Sequence, residues 1–408
     1  MGLLPTARPP ILLTAAVVLL SVACKPSGDG VIALEGATLI DGSGGDPVKD
    51  AVILVKNGHI EAVARVNEIA VPRGAQTISL IGKTVIPGLI DAHAHAERWA
   101  AERYVAWGVT TVRDLGAMTT DSAMALRNDW NLGAELGPRV LTAGGMIDGV
   151  PPTYPTATGV ASAGAARKAV DQRAVAGTDL LKIYTKITPL LLKPLMDEAS
   201  TLRLRVAAHL GKTDAVTAAR AGVASLEHMA GVVQAAARNP APYVNAHDRF
   251  LTGWTLEESG WASLDSASVA RVARVLAATQ VAVVPTLVLH ETLARLDNPT
   301  LLLRPGMEDV PASAASVRDV PGLSLHEEMS LLVAAGLTPL EAITAATRKG
   351  AQLLRADSLG LLAPGKVADL VVLDRDPIKG IAATRRIASV MVRGRLIQPD
   401  SLRRTWGK

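Results

Sequence analysis

The sequence has few aromatic residues and almost no cysteine. Cys24 is the single cysteine among 408 residues, so the mature chain cannot hold an internal disulfide. Aromatic residues make up 3% of the chain and include one Phe, so Ala, Val, Leu and Ile must fill the interior. A hydrophobic content of 49% is enough for one large core, or for a barrel with a small additional domain.

The sequence also lacks a strong charge of either sign. Its formal net charge is +4, and it contains no run of basic residues interleaved with aromatic ones. These absences exclude the usual features of a protein that binds nucleic acid.

The amino-terminal segment has the features of an export signal. Arg8 precedes an apolar run over residues 11–22, and small residues continue to Cys24. The run is too short for a permanent membrane anchor and is typical of a secretory signal peptide. We predict a lipoprotein signal over residues 1–24, with Cys24 lipidated and the protein periplasmic or anchored to a bacterial outer membrane. Plain cleavage after Ala23, giving a secreted protein, is the alternative.

Segments of alternating apolar residues near both ends of the chain predict a small β domain. Asn57-Gly58 indicates a hairpin turn between two such segments near the start. Two similar segments lie near the end, from Ala368 to Asp374 and from Ser389 to Ile397. Because neither pair is large enough to fold alone, we expect residues 31–86 and 364–400 to form one discontinuous β-sandwich domain.

Between these segments, short apolar runs alternate with helical patterns. Seven runs have the character of buried strands, and stretches such as Ser268 to Gln280 have helical spacing. This alternation is typical of a parallel (β/α)8 barrel of the TIM type, whose chemistry lies at the carboxyl ends of its strands. The predicted fold class is therefore α/β, with a TIM-type barrel over residues 87–360 in which strand 8 is not identifiable.

Four of the eight histidines fall at the carboxyl ends of predicted strands. His93 and His95 are two residues apart, so in a strand both side chains point to the same face. His209 and His228 end two later strands. Because imidazole is the commonest nitrogen ligand of zinc-like metals, these four residues are the predicted metal ligands. The remaining histidines lie in hairpin, loop or helix contexts and are interpreted as structural: His59, His247, His290 and His326.

Lys182 lies within DLLKIYT, a nearly continuous apolar strand in which an uncompensated ammonium group is costly. One interpretation is a structural lysine that reaches solvent or pairs with a carboxylate. The other is a lysine carboxylated by carbon dioxide, which bridges two metal ions. The position of Lys182, between the strand of His93 and His95 and the two later histidine strands, favours the second interpretation.

Motifs along nearly the whole chain, from about Gly36 to Ile381, occur in a specific order. They are PGLIDAHAH, GVTTVRDLG, LLKIYTK, VAAHLG, SLEHMAG, SLHEEMSLLVAAGLTPLEAITAAT and LGLLAPGKVADLVVLDRDP. Together they resemble the amidohydrolase superfamily, in particular its imidazolonepropionase-like and Xaa-Pro dipeptidase branch. The resemblance implies a metal-dependent hydrolase that cleaves C–N bonds in small amides, with dipeptides or N-acyl amino acids as the first expected substrates.

The resemblance also implies roles for the predicted ligands. His93 and His95 would bind the more buried of two divalent cations, His209 and His228 the second, and carboxylated Lys182 would bridge them. Two zinc ions are expected, and manganese or iron is also compatible with such ligands.

Tyr184 lies two residues after Lys182, on the same face of the strand. It resembles a family position that contacts a substrate carbonyl or carboxylate, and a tyrosine packed at the barrel rim is an equal alternative. Lys182 and Tyr184 are therefore the predicted catalytic residues. The implied mechanism is attack by a metal-bridging hydroxide on a polarised carbonyl, with a carboxylate accepting the proton.

The sequence departs from the superfamily where that carboxylate is expected. An Asp normally ends strand 8 shortly before the SLHEE helix, but here strand 7, expected over residues 281–288, is followed by a proline-rich segment. Residues 300–303 are a possible replacement strand. Asp309 and Asp319 follow no credible strand and are interpreted as surface-loop carboxylates. Two further hypotheses therefore stay open: a catalytically impaired metal-binding relative, and a cyclic amidohydrolase or deaminase, against which Lys182 argues.

Overall fold

The computed structural model describes residues 30–304, 306–311, 319–404 and 406. The predicted signal peptide, with Cys24, lies outside the described residues. The chain is a mixed α/β protein with parallel sheets. None of the helices in the described ranges is both long enough and apolar enough to cross a membrane.

The secondary structure follows the predicted alternation in the central region. The strands are β1 (Val31–Leu39), β2 (Val48–Lys56), β3 (His59–Arg65), β4 (Gln76–Ser79), β5 (Thr84–Pro87), β6 (Leu89–Ala94), β7 (Val109–Asp114), β8 (Arg139–Thr142), β9 (Ile147–Gly149), β10 (Thr158–Val160), β11 (Leu181–Ile183), β12 (Val206–Ala208), β13 (Ser225–Glu227), β14 (Ala282–Val284), β15 (Leu370–Leu373), β16 (Ile387–Val392) and β17 (Arg395–Ile397). The α-helices are α1 (Ala101–Ala106), α2 (Thr120–Leu132), α3 (Ala163–Ala176), α4 (Pro189–Thr201), α5 (Ala215–Arg220), α6 (Val232–Ala236), α7 (Ala241–Ala246), α8 (Phe250–Gly260), α9 (Ser266–Thr279), α10 (Leu287–Leu293), α11 (Leu323–Ala334), α12 (Pro339–Thr344), α13 (Gly350–Leu354) and α14 (Pro399–Arg403).

One sheet combines strands from both ends of the chain. Its order is β17-β16-β15-β5-β1-β2-β3, and β4 also pairs with β1. β15 runs antiparallel to β5, with Leu370 opposite Pro87. The hairpin between β2 and β3 turns at Asn57-Gly58, where both residues have positive φ, as the turn type of such hairpins requires.

The seven strands predicted for the central region are all present, as β6, β7, β8, β11, β12, β13 and β14. They lie in two parallel sheets, β6-β7-β8 and β10-β9-β11-β12-β13-β14. Asp179 connects the two sheets: its N–H donates to the Thr142 carbonyl at 2.9 Å, and its carboxylate accepts from the Thr142 N–H at 2.9 Å. Parallel strands place their carboxyl ends on one side, so residues that follow those strands become neighbours.

Aliphatic side chains fill the interior, as the composition predicts. Leu181, Val206 and Leu226, from three adjacent strands, are each at most 1% exposed. They pack with alanines of the covering helices, including Ala166 and Ala218. Small residues allow the helices to lie close to the sheet, which keeps the strand ends in a fixed position below the candidate site.

The sequence prediction is wrong for the end of strand 7. The strand ends at Val284, and the helix α10 begins at Leu287, so the expected extension to Val288 does not occur. Thr286 lies between the two elements with a φ of 52°, and its hydroxyl is 2.7 Å from Nδ1 of His228. The backbone therefore leaves the strand early, at a residue that contacts the candidate site.

Residues 300–303, considered as a replacement strand, belong instead to the 3-10 helix Pro299–Leu303. Among the residues that the structure describes, no strand lies between β14 and β15. β14 pairs with β13 on one side. The structure describes no strand that pairs with its other edge.

Candidate metal centre

Two of the predicted ligands follow from the alternation of β6. His93 lies in the strand and His95 directly after it, and their ring centroids are 5.4 Å apart. The carboxylate of Asp91 accepts the His93 backbone N–H at 3.1 Å, which holds the end of the strand. Both imidazoles therefore lie at the carboxyl end of the parallel strands, where the other predicted ligands also arrive.

The other two histidines complete one group of rings. His209 follows β12 and His228 follows β13. The ring centroid of His228 is 4.3 Å from that of His93 and 4.6 Å from that of His209. The structure thus brings together all four predicted metal ligands, which we call the imidazole cluster: His93, His95, His209 and His228.

Buried polar groups orient two of these rings from behind. Nδ1 of His93 is 2.7 Å from Oε2 of Glu227, and the same oxygen accepts a hydrogen bond from Arg113 at 3.0 Å. Nδ1 of His228 is 2.7 Å from the Thr286 hydroxyl. With Nδ1 engaged, Nε2 is the nitrogen that remains for a ligand, as in the outer-shell arrangement of many metal sites.

Sequence reasoning missed the residues of this supporting shell. Glu227 and Arg113 are fully buried, and each lies in a strand whose residues are all buried. A charged residue in a buried strand needs a partner, so the two positions were a signal that could have been read. Thr286 gave no such signal, because a threonine is ordinary in a strand.

Burial keeps the imidazole cluster neutral at neutral pH. It lowers the pKa of His95 to about 4. It also lowers the pKa of His93, His209 and His228 well below the usual value. A neutral imidazole is the form that binds a metal ion, so the rings are in their ligand state.

Lys182 lies in the middle of this group. Its side chain is 1% exposed, and within the described residues its Nζ has no hydrogen-bond partner. Burial lowers its pKa to about 7, and its charge acts on all four rings of the imidazole cluster. Within the described residues, this lysine reaches no solvent and forms no hydrogen bond with a carboxylate. An unpaired amine whose pKa is lowered to about 7 suits the carboxylated interpretation, because that reaction requires the free amine.

Tyr184 borders the imidazole cluster, with its ring centroid 4.6 Å from that of His209. It is 7% exposed, and burial raises its pKa well above the usual value, so its hydroxyl stays protonated. Tyr154 lies beside it at 5.5 Å between ring centroids. The position is open to both interpretations of Tyr184, as a packed rim tyrosine and as a hydrogen-bond donor to a substrate.

The histidines interpreted as structural differ in their surroundings. His59 is exposed in the β2–β3 hairpin. His326 is buried, with Nε2 2.8 Å from the Trp107 carbonyl. His290 lies next to the site, with Nε2 3.1 Å from the His228 carbonyl and Nδ1 3.1 Å from a Glu258 oxygen. His247 is buried behind His209, where its Nε2 is 3.2 Å from Glu257.

The side chains do not form a closed coordination shell as they stand. Over residues 30–304, 306–311, 319–404 and 406, no group of three or more His, Cys, Asp or Glu side chains is arranged to hold a metal ion. The four rings pack against one another at interplanar angles of 58° to 85°. The donor types and the unpartnered Lys182 amine nevertheless fit a divalent cation.

The two aspartates near the expected eighth strand do not join the imidazole cluster. Asp309 ends a 3-10 turn, and its side chain lies outside the described part of the chain. The carboxylate of Asp319 accepts the Ser324 hydroxyl, at the start of α11. Together with removal of the group from water, the negative charge of Asp319 raises the pKa of Asp91 to about 7. Asp319 is therefore near the first strand of the site, but it is held by its own helix.

A small cleft lies beside the cluster, lined by His209, His228, Trp254, Glu257 and Glu258 among others. A second cavity lies at the opposite, amino-terminal ends of the strands, where Asp179 and Arg205 line it. Chemistry in folds of parallel strands and helices occurs at the carboxyl ends, so the cleft beside the imidazoles is the candidate substrate site.

The chain is similar to several known proteins. The amidohydrolase family model matches residues 84–397. A Xaa-Pro dipeptidase, solved with methionine in its active site, is 20% identical, with 90% of this chain and all of that chain covered at a TM-score of 0.66. A Bifidobacterium longum protein assigned as a prolidase is 25% identical, with 93% and 99% covered at a TM-score of 0.63. An imidazolonepropionase of Pyrobaculum arsenaticum is 56% identical over 39 residues, so that match spans about a tenth of each chain.

Proposed function

Because the chain belongs to the amidohydrolase family, as its motifs predict, and is an enzyme of the type that acts on carbon–nitrogen bonds, we propose that it hydrolyses amide bonds in dipeptides or N-acyl amino acids. The imidazole cluster around the unpartnered amine of Lys182 is the observation that carries the proposal. The methionine bound by the structurally similar Xaa-Pro dipeptidase supports a substrate derived from amino acids.

In this proposal the chain holds two divalent cations, most simply zinc, with manganese or iron as alternatives. His93 and His95 would hold one, His209 and His228 would hold the other, and carboxylated Lys182 would be a ligand to both. Cations of this kind supply a hydroxide at neutral pH and polarise a carbonyl.

The protein's own groups then orient the reactants. Glu227 and Thr286 fix the ring nitrogens of His93 and His228, so both rings keep their direction as charge develops. In this proposal the protonated hydroxyl of Tyr184 donates a hydrogen bond to a substrate carbonyl or carboxylate.

A second function is favoured by one observation, the absence of a strand-8 carboxylate from the described residues. Hydrolysis needs a group that accepts the proton of the attacking water, whereas metal binding needs only the histidines and Lys182. A catalytically impaired, metal-binding protein is therefore the alternative proposal.

Metal analysis combined with a substrate library separates the two functions. The purified protein would be loaded with zinc, manganese or iron(II), its metal content measured, and hydrolysis followed on Xaa-Pro dipeptides, other dipeptides and N-acyl amino acids. About two metal ions per chain with turnover is the expected result. Stoichiometric metal without turnover on any substrate would establish the impaired protein instead.

Lys182→Ala tests the bridge. We expect this variant to keep at most one metal ion per chain, whereas His59→Ala, in the exposed hairpin, keeps both. Two ions bound equally well by Lys182→Ala would rule out a bridging role for the lysine.

The β segments of both ends and the amino terminus complete the proposal. Residues 31–86 and 364–400 form a β-sandwich domain beside a TIM-type barrel of residues 87–360, supported by the pairing of β5 with β15.

Residues 1–24 act as a lipoprotein signal, which exports the protein to the periplasm or outer membrane. Mass spectrometry of the mature amino terminus tests this, because Cys24→Ser should remove a diacylglyceryl mass.

A further inference from the structure

Aromatic rings are concentrated at one place in a chain that has few of them. The sequence contains one Phe, four Tyr and six Trp. The single Phe lies within 6.2 Å, between ring centroids, of two of the tyrosines and one tryptophan. These four residues, which we call the aromatic group, are Tyr154, Tyr184, Phe250 and Trp254.

Two members of the aromatic group come from α8 and lie directly on the imidazole cluster. Phe250 and Trp254 are four residues apart, so they lie on the same side of the helix. The Trp254 ring centroid is 4.9 Å from that of His209 and 5.4 Å from that of His228. The Phe250 ring is 5.9 Å from His209 and 5.6 Å from Tyr184. The two rings therefore cover the imidazole cluster on this side.

Buried contacts fix α8 in this position. A Glu257 oxygen accepts the Gly231 N–H at 2.6 Å. The His247 ring fits between Gly211 and Gly253, where an added Cβ would come within 2.7 Å and 2.5 Å of it. These glycines allow the helix to approach the turn that follows His209, so the position of α8 is tied to that of a predicted metal ligand.

Trp254 also presents an unused hydrogen-bond donor. Its indole Nε1 is buried and has no partner within the described residues. A buried N–H without an acceptor is costly, and such groups in a native structure call for an explanation. An oxygen atom of a substrate, bound next to His209 and His228, would supply the missing acceptor.

We propose that Phe250 and Trp254 determine substrate specificity, by selecting amides whose residue at the scissile bond has an aromatic or long aliphatic side chain. This inference rests on the proposed function, because it assigns the substrate class of the same site. The apolar side chain packs against the outer side of the aromatic group, where Tyr154 is 39% exposed. The indole N–H of Trp254 donates to a carboxylate or carbonyl oxygen of the same substrate.

Binding of simple carboxylates tests the pocket without requiring turnover. The probes are 3-phenylpropanoate, propanoate and succinate, measured by calorimetry on the zinc-loaded protein. We expect 3-phenylpropanoate to bind at least about tenfold more tightly than propanoate, and succinate to gain nothing from its second carboxylate. Equal binding of 3-phenylpropanoate and propanoate, or tighter binding of succinate, would overturn the proposal.

Variants separate the two parts of the pocket. Phe250→Ala should reduce the preference for 3-phenylpropanoate to within about threefold, and Phe250→Leu should give an intermediate ratio. Trp254→Phe keeps a ring but removes the N–H, so it should weaken both carboxylates by about tenfold while the ratio between them is kept. Leu251→Ala is the matched control, because Leu251 is on the same helix and 75% exposed. A preference that survives in Phe250→Ala, or is lost in Leu251→Ala, contradicts the assignment.

Failure of this inference is distinguishable from failure of the proposed function. If the protein cleaves glycine and phenylalanine substrates equally well, the hydrolase proposal stands and the specificity assignment is wrong. If the binding preference is present but no amide is cleaved, the pocket stands and the hydrolase proposal is wrong.

Discussion

The two sides of the candidate metal centre are built differently. On the side of β11, β12 and β13 the strands are paired, and the buried charge of Glu227 is matched by Arg113. On the side of β14, the described residues that follow this strand, up to β15, contain helices and no strand. Leu226 on β13 is 0% exposed, whereas Val283 on the neighbouring β14 is 43% exposed.

In the proposed function, the two sides have different roles, metal binding on one and proton transfer on the other. The predicted ligands lie on β6, β11, β12 and β13 or directly after them, where packing and buried ion pairs fix their positions. The proposed function also requires a proton-accepting carboxylate, which the resemblance to the superfamily assigns to the end of an eighth strand on the other side. A chain of this kind can keep its ligand set intact while the group that completes catalysis is in question.

Helices take over part of the role of a strand on the second side. The carboxylate of Glu328 on α11 accepts the backbone N–H of Val288 on α10 at 2.9 Å. His326, also on α11, has Nε2 2.8 Å from the carbonyl of Trp107, just after α1. The helices are thus fixed to the rest of the chain, although β14 keeps a partly exposed face.

The largest effect is expected at Glu227, on the paired side. Glu227→Ala leaves the buried guanidinium of Arg113 without its carboxylate, so the free energy of unfolding should fall by about 3–5 kcal/mol. Urea unfolding of the metal-free protein measures this without a contribution from metal binding. Arg98→Ala, which breaks a half-exposed pair with Asp129 and Glu135, is the control and should cost at most about 1 kcal/mol. Similar losses in both variants would show that the buried ion pair stabilises the protein no more than the half-exposed one.

Truncation of an apolar side chain should likewise cost more stability on β13 than on the adjacent strand β14. Leu226→Ala removes a fully buried side chain from β13 and should lower the free energy of unfolding by about 2–5 kcal/mol. Val283→Ala on β14 removes a side chain that is already 43% exposed, so the loss should stay below about 1 kcal/mol. The same urea titrations provide the measurement. Equal losses would mean that β14 is covered in solution, for example by another copy of the chain.

The parts of the fold with strong local patterns could be predicted from the sequence. The seven central strands are continuous apolar runs, and the two-residue spacing of His93 and His95 directs both rings to one face. The order of the motifs then predicted which strand ends carry His209, His228 and Lys182. The structure brings these groups together because parallel strands end on the same side.

The remaining features depend on contacts between distant segments. The apolar run after Val281 fits a strand or a buried helix equally well, and the contact between Thr286 and His228 decides where the strand ends. The pairing of Arg113 with Glu227, and the packing of Phe250 on His209, join residues far apart in sequence. A charge in a buried strand signals that a partner is needed, but no local pattern identifies that partner, so these contacts appear only in the folded chain.

Acid should weaken the attachment of α11 through His326. Burial lowers the pKa of His326 from 6.5 to about 4. Because the folded-state pKa is the lower one, the unfolded chain takes up the proton first as the pH falls. Stability is therefore lost between pH 6.5 and about 4, by up to roughly 3 kcal/mol, and this residue contributes no further loss below that range.

The unfolding free energy of His326→Gln, measured from pH 7 to pH 4, should lack this part of the pH dependence. His59→Gln, in the exposed hairpin, should keep the wild-type profile. A wild-type profile in His326→Gln would show that other buried groups cause the acid sensitivity.

The smallest effect is expected for Asp319, the described aspartate nearest to the expected eighth strand. Its carboxylate accepts from the Ser324 hydroxyl and the Val320 N–H, and an asparagine oxygen can accept both bonds. Asp319→Asn should therefore change the free energy of unfolding by less than about 0.5 kcal/mol and leave kcat/KM on the best dipeptide within about threefold. A fall in kcat of about a hundredfold with unchanged stability would instead identify Asp319 as the proton acceptor. The second side of the centre would then be complete without a strand, and the contrast between the two sides would concern architecture alone.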